Sequence, residues 1–233
     1  MEQTQRNRLS SAQREALQQT LKQSWQDMYV LTKPEEIIPY ECDGLAAYRE
    51  IPLAVVLPET EAQVQRVLQT CKQMNIPVVP RGAGTGLAGS AMPIPDGVVL
   101  SMAKFNRILE VNQQARTATV QPGVRNLAIS EAAAQYQLYY APDPSSQIAC
   151  SIGGNVAENS GGVHCLKYGL TVNNVLKVRA ITIDGDIVEF GSRAPDAPGL
   201  DLLGVLIGSE GMFCVTTEVV VKLVPKPQLA QVI

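Results

Sequence analysis

The sequence predicts an α+β fold, in which a small parallel β-α-β unit comes first and a mostly antiparallel sheet flanked by helices comes second. In the first half, short apolar runs enclose a segment whose apolar residues recur at helical spacing. In the second half, β-branched runs are separated by short turns and by one alanine-rich stretch. The 233 residues are 45% hydrophobic and 18% charged, so the chain can bury a sizeable core.

The first half contains the elements of the parallel unit. Residues 1–30 are predicted as an amphipathic helix, and residues 39–52 as an ordered loop. A second helix is expected after Thr60, because Thr60 and Gln63 form a capping-box pattern. The predicted strands are residues 53–57, 76–80 and 97–102.

The second half contains the elements of the antiparallel sheet. Helices are predicted over residues 124–137 and 200–208, whereas residues 141–162 are expected to hold at most one short helical turn. Asp184 and Gly185 form a pair that fits a tight primed turn at the centre of a hairpin. The predicted strands are residues 108–111 and 117–123, the two arms of the hairpin over 173–190, and residues 212–225.

Composition and charge exclude several classes of protein. The net charge is −3 and no block of basic residues is present, which argues against a nucleic-acid surface. No apolar run approaches the ~18 residues of a membrane span, and the polar start lacks the apolar core of a secretory signal. The five cysteines form no C-x-x-C pair and His164 is the only histidine, so neither a disulfide framework nor a metal site is expected. Reduced thiols in the cytoplasm are the plain interpretation.

The first glycine segment is RGAGTGLAGS, residues 81–90, and it contains a literal G-x-G-x-x-G from Gly84 to Gly89. In a Rossmann turn, a helix begins within these glycines and binds the pyrophosphate at its N-terminus. Here Pro93 and Pro95 prevent a helix, and no acidic residue that could hold a ribose comes after the next strand. The segment is therefore either a tight loop or a nest of backbone N–H groups that binds an anion.

Two further glycine clusters change the balance between these alternatives. The second glycine segment is SIGGNVAENSGG, residues 151–162, and IGSEG, residues 207–211, precedes the last predicted strand. Glycine segments this far apart in the sequence suggest one extended ligand that is held from both sides.

These motifs, in this order, resemble those of a known family. VVPRGAGTGLAGSAMP, QPGV, IGGNVAENSGG, LKYG and IGSEG resemble the FAD-binding domain of the vanillyl-alcohol oxidase / p-cresol methylhydroxylase (PCMH-type) class. Within that class the chain is similar to glycolate oxidase FAD subunits and to D-lactate and D-2-hydroxyglutarate dehydrogenases, and YECDGLAAYR shares in this similarity. The resemblance implies an N-terminal helical extension, an FAD-binding domain in two subdomains, and the start of a C-terminal substrate domain. The corresponding ranges are residues 1–36, residues 37–227 divided at about residue 110, and residues 228–233.

The resemblance implies a non-covalent FAD. Covalent members of the class carry a histidine where this chain has Thr85, and relatives often have glycine where this chain has Cys214. The residues implied to bind the cofactor are Arg81, Gly82, Ala83, Gly84, Thr85, Gly86, Leu87, Gly89, Ser90, Pro122, Gly123, Asp143, Ser151, Ile152, Gly153, Gly154, Asn155, Ala157, Asn159, Gly161, Gly162, Glu210 and Val215.

The resemblance also implies an oxidoreductase that oxidises a small 2-hydroxy acid, such as glycolate or D-lactate, by hydride transfer to flavin N5. His164 is the candidate catalytic residue, with a structural or surface role as the alternative. Related enzymes hold the substrate largely with a C-terminal domain, and this chain has one histidine and no basic cluster outside the first glycine segment. We therefore expect an incomplete active site here, completed by that domain or by a partner.

A non-catalytic FAD-holding subunit for electron transfer is the alternative function. The FAD subunit of molybdenum hydroxylases is its model, but that subunit lacks the YECDGLAAYR segment. A reductase of the UDP-N-acetylmuramate type is a more remote alternative. The expected partners are a second flavin subunit and an iron–sulfur electron acceptor, at a cytoplasmic location peripheral to the inner face of the membrane.

Overall fold

The computed structural model describes residues 8–193 and 199–228, and these residues adopt the α+β fold that the sequence predicts. The first half of the chain contains three α-helices and four strands among the described residues. They are α1 (Ser11–Ser24), β1 (Tyr29–Leu31), α2 (Pro34–Ile37), β2 (Ala54–Leu57), α3 (Glu61–Gln73), β3 (Val78–Arg81) and β4 (Val98–Ser101).

The strands of the first half form a sheet in the order β1-β2-β4-β3. The pairs β2–β4 and β3–β4 are parallel, as predicted for the β-α-β unit, whereas β1 is antiparallel to β2. The predicted helix over residues 1–30 is therefore wrong after α1, and residues 1–7 lie outside the described residues. Strand β1 forms because it pairs with the edge of β2, whose backbone groups would otherwise have no strand partner on that side.

Helices α1 and α3 both pack on this sheet. Leu21 and Trp25 at the end of α1 are fully buried in the same apolar cluster as the strands, so the N-terminal segment is part of the first core. Helix α3 begins as predicted, because the Thr60 hydroxyl accepts a hydrogen bond from the N–H of Gln63 at 3.3 Å. Burial raises the pKa of the Cys71 thiol in α3 to about 12, which leaves this cysteine as an inert core residue.

The second half contains the antiparallel sheet. Its elements are β5 (Ile108–Asn112), β6 (Thr117–Val120), α4 (Asn126–Ala133), β7 (Leu138–Tyr139), α5 (Ile152–Glu158), α6 (Cys165–Tyr168), β8 (Val175–Ile181), β9 (Ile187–Gly191), α7 (Leu202–Leu206), β10 (Val215–Lys222) and β11 (Val224–Pro225). The main sheet has the strand order β5-β6-β10-β8-β9, and β7 pairs with β11 in a separate ribbon. Strand β5 spans residue 110, the approximate position at which the two subdomains were expected to divide, and it lies wholly in this sheet.

Two predictions for the second half are wrong in detail. Residues 141–162 contain the two-turn helix α5 rather than at most one short turn, because Ser151 caps it and Ile152 and Val156 pack into the core. The chain reverses between β8 and β9 over the three residues between Thr182 and Asp186. The N–H of Thr182 donates a hydrogen bond to the carbonyl of Asp186 at 2.9 Å. This three-residue loop, with a glycine at positive φ, replaces the predicted two-residue primed turn.

The two sheets are joined by apolar and polar contacts. Ile181 and Val215 from the second sheet are buried in the first core. Glu61 of α3 accepts hydrogen bonds from Arg179 Nε of β8 at 2.9 Å and from the Thr217 hydroxyl of β10 at 2.6 Å. The relative position of the two units is thus fixed by side chains that the sequence pattern does not single out.

Candidate functional site: an extended cleft between two glycine segments

A cleft of about 300 Å³ is bounded by three parts of the chain that are distant in sequence. They are the loop after β3, the start of α5, and the residues that lead into β10. The structure therefore brings together the first glycine segment, the second glycine segment and the IGSEG motif. The predicted cofactor residues that line this cleft are Arg81, Gly82, Ala83, Gly84, Thr85, Gly86, Leu87, Ser90, Pro122, Ser151, Gly153, Gly154, Asn155, Ala157, Glu210 and Val215.

Other predicted residues lie near the cleft without lining it. Ile152 is fully buried in the second core, and Gly123 lines a neighbouring cavity next to Arg125. The remaining predicted residues outside the lining are Gly89, Asp143, Asn159, Gly161, Gly162 and His164. Residues that line the cleft without having been predicted to bind the cofactor are Pro80, Ala91, Met102, Ser146, Cys150, Glu158, Ser160, Gly211, Cys214 and Thr216.

The first glycine segment has backbone N–H groups without protein partners, and most of its residues line the cleft. Within the described part of the chain, no backbone N–H of residues 83–91 donates a hydrogen bond to another protein group. Helices and strands normally pair such groups, and a row of N–H groups without partners is suited to phosphate oxygens. The geometry thus favours the anion-binding alternative over the merely tight loop.

Arg81 closes this segment rather than facing a ligand. Its guanidinium is almost fully buried and donates from one nitrogen to the carbonyls of Cys42 at 2.8 Å and Ala91 at 3.0 Å. It also lies over the ring of Tyr40, with 5.5 Å between the guanidinium carbon and the ring centroid. The start and the end of the segment are joined through this side chain, so the diphosphate contacts expected here fall to the backbone.

In the second glycine segment, the first backbone N–H groups donate hydrogen bonds to other groups of the protein. The N–H of Ile152 donates to Val124, that of Gly153 to Pro122 and that of Gly154 to the Ser151 hydroxyl. The start of α5 therefore contributes shape rather than free N–H groups to the cleft. The close packing of Gly82 on Ser151 brings the two segments into contact, and Gly153 packs on Pro122.

A buried polar network fixes the far side of α5. Asn155 is almost fully buried and accepts a hydrogen bond from the Asn126 amide at 3.0 Å. The same Asn126 amide donates to the carbonyl of Pro142 at 3.1 Å. Asn155 thus holds the cleft wall with its side chain, although it also borders the cleft.

Two carboxylates also reach the cleft wall. Glu158 accepts a hydrogen bond from the Ser90 hydroxyl, which connects the two glycine segments across the cleft. Glu210 adopts a left-handed backbone with φ of 53°, which costs a non-glycine residue about 1 kcal/mol or more. These acids and the occupied Arg81 leave the described cleft wall without a free side-chain cation, so phosphate charge has to be met by N–H groups.

His164 pairs with a carboxylate just beyond the second glycine segment. The Asp143 carboxylate accepts hydrogen bonds from the Nδ1–H of His164 at 2.6 Å and from its backbone N–H at 3.2 Å. This contact fixes the tautomer and leaves Nε2 free toward solvent, since 57% of the His164 side chain is exposed. Exposed apolar side chains flank the pair at Val163 and Leu166.

Two tyrosines lie beside the His164–Asp143 pair. The ring of Tyr168 packs edge-on against Tyr139, with 6.2 Å between centroids. Hydrogen bonds from Tyr139 and Lys167 lower the pKa of Tyr168 below its usual value. The group forms an exposed polar cluster next to the cleft.

Comparison with known proteins identifies the family. The family model described as FAD binding domain matches residues 52–191, which is more than half of the chain. This chain belongs to the FAD binding domain family. FAD is accordingly the cofactor of this chain, and the predicted PCMH-type fold is confirmed.

Individual relatives agree with this assignment. The chain is 59% identical over 225 residues to glycolate oxidase subunit GlcD of Escherichia coli (strain K12), covering 97% of this chain and 45% of that protein. It is 36% identical over 188 residues to a D-lactate dehydrogenase of Anaerostipes hadrus, covering 80% of this chain and 39% of that protein. The chain thus spans less than half the length of these relatives.

A solved structure shows the same fold. The chain superposes on Physcomitrella patens BBE-like 1 with a TM-score of 0.77 and 23% identity, covering 88% of this chain and 44% of that one. At this level of identity the likeness concerns the fold alone.

The residues of the cleft fit an FAD. The cleft is extended, combines polar and apolar walls, and presents free peptide N–H groups in place of cations. Thr85, which lines the cleft, has no ring nitrogen through which a flavin could be attached. Among the described residues, no helix is long and apolar enough to cross a membrane, and no cluster of three or more metal-ligating side chains is found.

Proposed function

We propose that this chain is the FAD-holding part of a flavoenzyme that oxidises a 2-hydroxy acid of the glycolate or D-lactate type. The observation that carries the proposal is the 59% identity, over nearly the whole chain, to a protein named as a glycolate oxidase subunit. The reaction removes a hydride from the carbon that bears the hydroxyl and a proton from the hydroxyl, which leaves a 2-oxo acid. Bound FAD supplies the hydride acceptor.

The proposed FAD contacts agree with the sequence-based assignment. Residues 83–91 would bind the diphosphate through their free N–H groups, and Pro122 and the start of α5 would shape the opposite wall. The flavin is proposed to be non-covalent, because Thr85 cannot form the bond that a histidine forms. Acid precipitation of the holoprotein should leave yellow flavin in the supernatant, whereas colour retained in the pellet would contradict this point.

His164 is proposed as the residue that receives the hydroxyl proton. Asp143 orients the ring and leaves Nε2 outward, which is the arrangement a general base requires. His164→Ala should slow flavin reduction by hydroxy acid by about 10²-fold or more without changing FAD content. Asp143→Asn should slow it less and should alter its pH profile. An unchanged rate in both variants would leave His164 with the structural or surface role.

Anaerobic flavin reduction tests the proposed function. Mixing the flavin-loaded protein, isolated from native cells together with the domain or partner that completes its active site, with glycolate, D-lactate or D-2-hydroxyglutarate should bleach the visible flavin band, and L-lactate serves as the stereochemical control. If dithionite reduces the flavin but none of the three acids does, the hydroxy-acid function is wrong. That outcome would favour the electron-transfer subunit, whose flavin exchanges electrons with a redox partner.

Partner subunits and a cytoplasmic location belong to the same proposal. The E. coli relative is named as a subunit, and all five cysteines of this chain are free thiols, which suits a reducing compartment. A second flavin subunit and an iron–sulfur acceptor are the proposed partners, with association at the inner face of the membrane through them. Purification from native cells should recover additional flavin, iron and acid-labile sulfide with this chain, and their absence would contradict the proposal. The division into residues 1–36, 37–227 and 228–233 stays a proposal.

A further inference from the structure

The segment before the first strand of the parallel unit packs along the back of the first glycine segment. Residues 40–45, called the lead-in segment, precede residue 52, where the FAD binding domain match begins. A Cβ atom on Gly44 would lie 2.6 Å from the carbonyl oxygen of Gly86 and 2.9 Å from that of Thr85. The lead-in segment therefore touches the middle of the glycine segment directly, and no side chain fits between them.

The same two segments are joined at the ends of the glycine segment. Arg81 donates to the carbonyl of Cys42 in the lead-in segment and to the carbonyl of Ala91 beyond the glycine segment. Its guanidinium lies over the ring of Tyr40. One buried cation thus ties the lead-in segment to both ends of the loop whose N–H groups are free.

A buried carboxylate accompanies this cation. Asp43 is 7% exposed, and one of its oxygens accepts a hydrogen bond from the N–H of Leu45 at 2.8 Å. Its other oxygen, Oδ2, is fully buried and makes no hydrogen bond with the described residues. Burial lowers the pKa of Arg81, and the nearby Asp43 charge acts in the opposite direction. Asp43 lies between Cys42, whose carbonyl accepts from Arg81, and Gly44, which touches the glycine segment, so its buried carboxylate stands near the Arg81 charge without being one of its hydrogen-bond acceptors.

We propose that Asp43 is a positioning residue for FAD: by balancing the buried charge of Arg81, it holds the first glycine segment in the shape that presents its N–H groups to the diphosphate. The proposal rests on the FAD site and is independent of the hydroxy acid. A buried cation is costly unless its charge is compensated, so loss of the Asp43 charge should weaken the closure at Cys42 and Ala91. The free N–H groups would then no longer point to one place.

The test measures FAD affinity of the 233-residue chain after flavin removal. Asp43→Asn keeps the shape and the acceptor for Leu45 but removes the charge, and it should weaken FAD binding by about tenfold. Glu41→Gln is the matched control, because Glu41 lies in the same segment and pairs with Arg49 at 2.7 Å instead of with the glycine segment. Its FAD affinity should stay within about twofold of the parent.

Two readouts separate positioning from general stability. The visible circular dichroism of bound flavin should change in Asp43→Asn and not in Glu41→Gln, and Arg81→Lys should reproduce the Asp43→Asn effect. The double variant should bind FAD about as weakly as either single variant, because the two residues act on one structure. Equal FAD affinity in parent and Asp43→Asn, or losses that simply add in the double variant, would overturn the proposal.

Gly44→Ala keeps the proposal testable if Asp43→Asn does not fold. This change leaves both charges in place and pushes a methyl group onto the carbonyls of Thr85 and Gly86. FAD affinity should again fall by about tenfold. A folded Gly44→Ala chain with parental affinity would show that the lead-in segment does not set the shape of the FAD site.

Discussion

The two glycine segments have similar composition and opposite uses of their backbone. In the first, residues 83–91 donate no backbone hydrogen bond to the described protein. In the second, the N–H groups at the start of α5 are paired with Val124, Pro122 and Ser151. The first segment is therefore the one whose N–H groups are available to a phosphate, and the second forms a wall of the cleft whose donors are already paired.

The neighbouring residues of each segment cause this difference. Pro93 and Pro95 keep the first segment from becoming a helix, so its N–H groups stay unpaired. The second segment continues into Asn155 and Val156, which are buried, and their packing supports a helix that glycine alone would disfavour. A glycine-rich sequence thus predicts close approach of the backbone, and its neighbours decide whether a ligand or the protein itself takes up the donors.

Gly84→Val should have the largest effect, on the first segment. Gly84 has φ of 70°, and a Cβ atom there would collide with the guanidinium of Arg81. Because the loop would have to reopen, FAD binding should weaken by about a hundredfold, as measured by flavin titration. Gly199→Val is the control, since Gly199 also has positive φ but no described residue beyond its chain neighbours comes within 4 Å of its Cβ position. Parental affinity in a folded Gly84→Val chain would contradict a ligand role for this segment.

Gly153→Ala should affect the second segment through folding rather than through the ligand. A Cβ atom at Gly153 would lie 2.6 Å from the Cβ of Pro122 and 3.0 Å from its carbonyl oxygen. Urea unfolding of the FAD-free chain should show a loss of about 2 kcal/mol. Gly154→Ala is the matched control, because its Cβ would meet only the Ser151 hydroxyl at 3.4 Å. Equal stability of the two variants would show that the wall is less rigid than its packing indicates.

Asn126→Ala should lower the free energy of unfolding by less than Gly153→Ala, through the same wall of the cleft. The Asn126 amide donates to both Asn155 and the carbonyl of Pro142. Its removal leaves the Pro142 carbonyl without a donor and Asn155 Oδ1 with only the weak thiol donor of Cys150 at 3.8 Å. The free energy of unfolding should fall by about 1–2 kcal/mol. Gln135→Ala on the exposed surface is the control and should change it little. A loss no greater than that of the control would mean that water replaces the amide.

Glu61→Gln should have the smallest effect, on the contact that joins the two sheets. Hydrogen bonds from Arg179 lower the pKa of Glu61, so its carboxylate stabilises the fold above the unfolded value of about 4.5 and this contribution is lost as pH falls through the folded value. The variant should lose less than about 1 kcal/mol at neutral pH. The difference from the parent should shrink in unfolding experiments below pH 4.5. Glu15→Gln on α1 is the control, and a difference that does not depend on pH would contradict the ion-pair explanation.

Much of the site could be predicted because the backbone conformations that it requires depend on particular residue types in the sequence. The glycines and prolines of the first segment indicate a loop that cannot be a helix, and the Thr60 capping box locates α3. Glu158 lies inside the second glycine segment, yet its bond to Ser90 has no signal in the sequence. Met102 and Cys150 reach the cleft through folding alone, since each looks like an ordinary core residue.

The sequence by itself determined the α+β class, the family and the glycine-rich segments that line the cleft, because periodicity, turn residues and ordered motifs are local properties of the chain. Tertiary structure decided how each segment is used. Hydrogen-bond partners such as Val124 for Ile152, or Cys42 for Arg81, lie tens of residues away and come into reach only when each half of the chain folds. A backbone N–H is free or paired according to what folding places beside it, and that choice makes one glycine segment a binding loop and the other a wall.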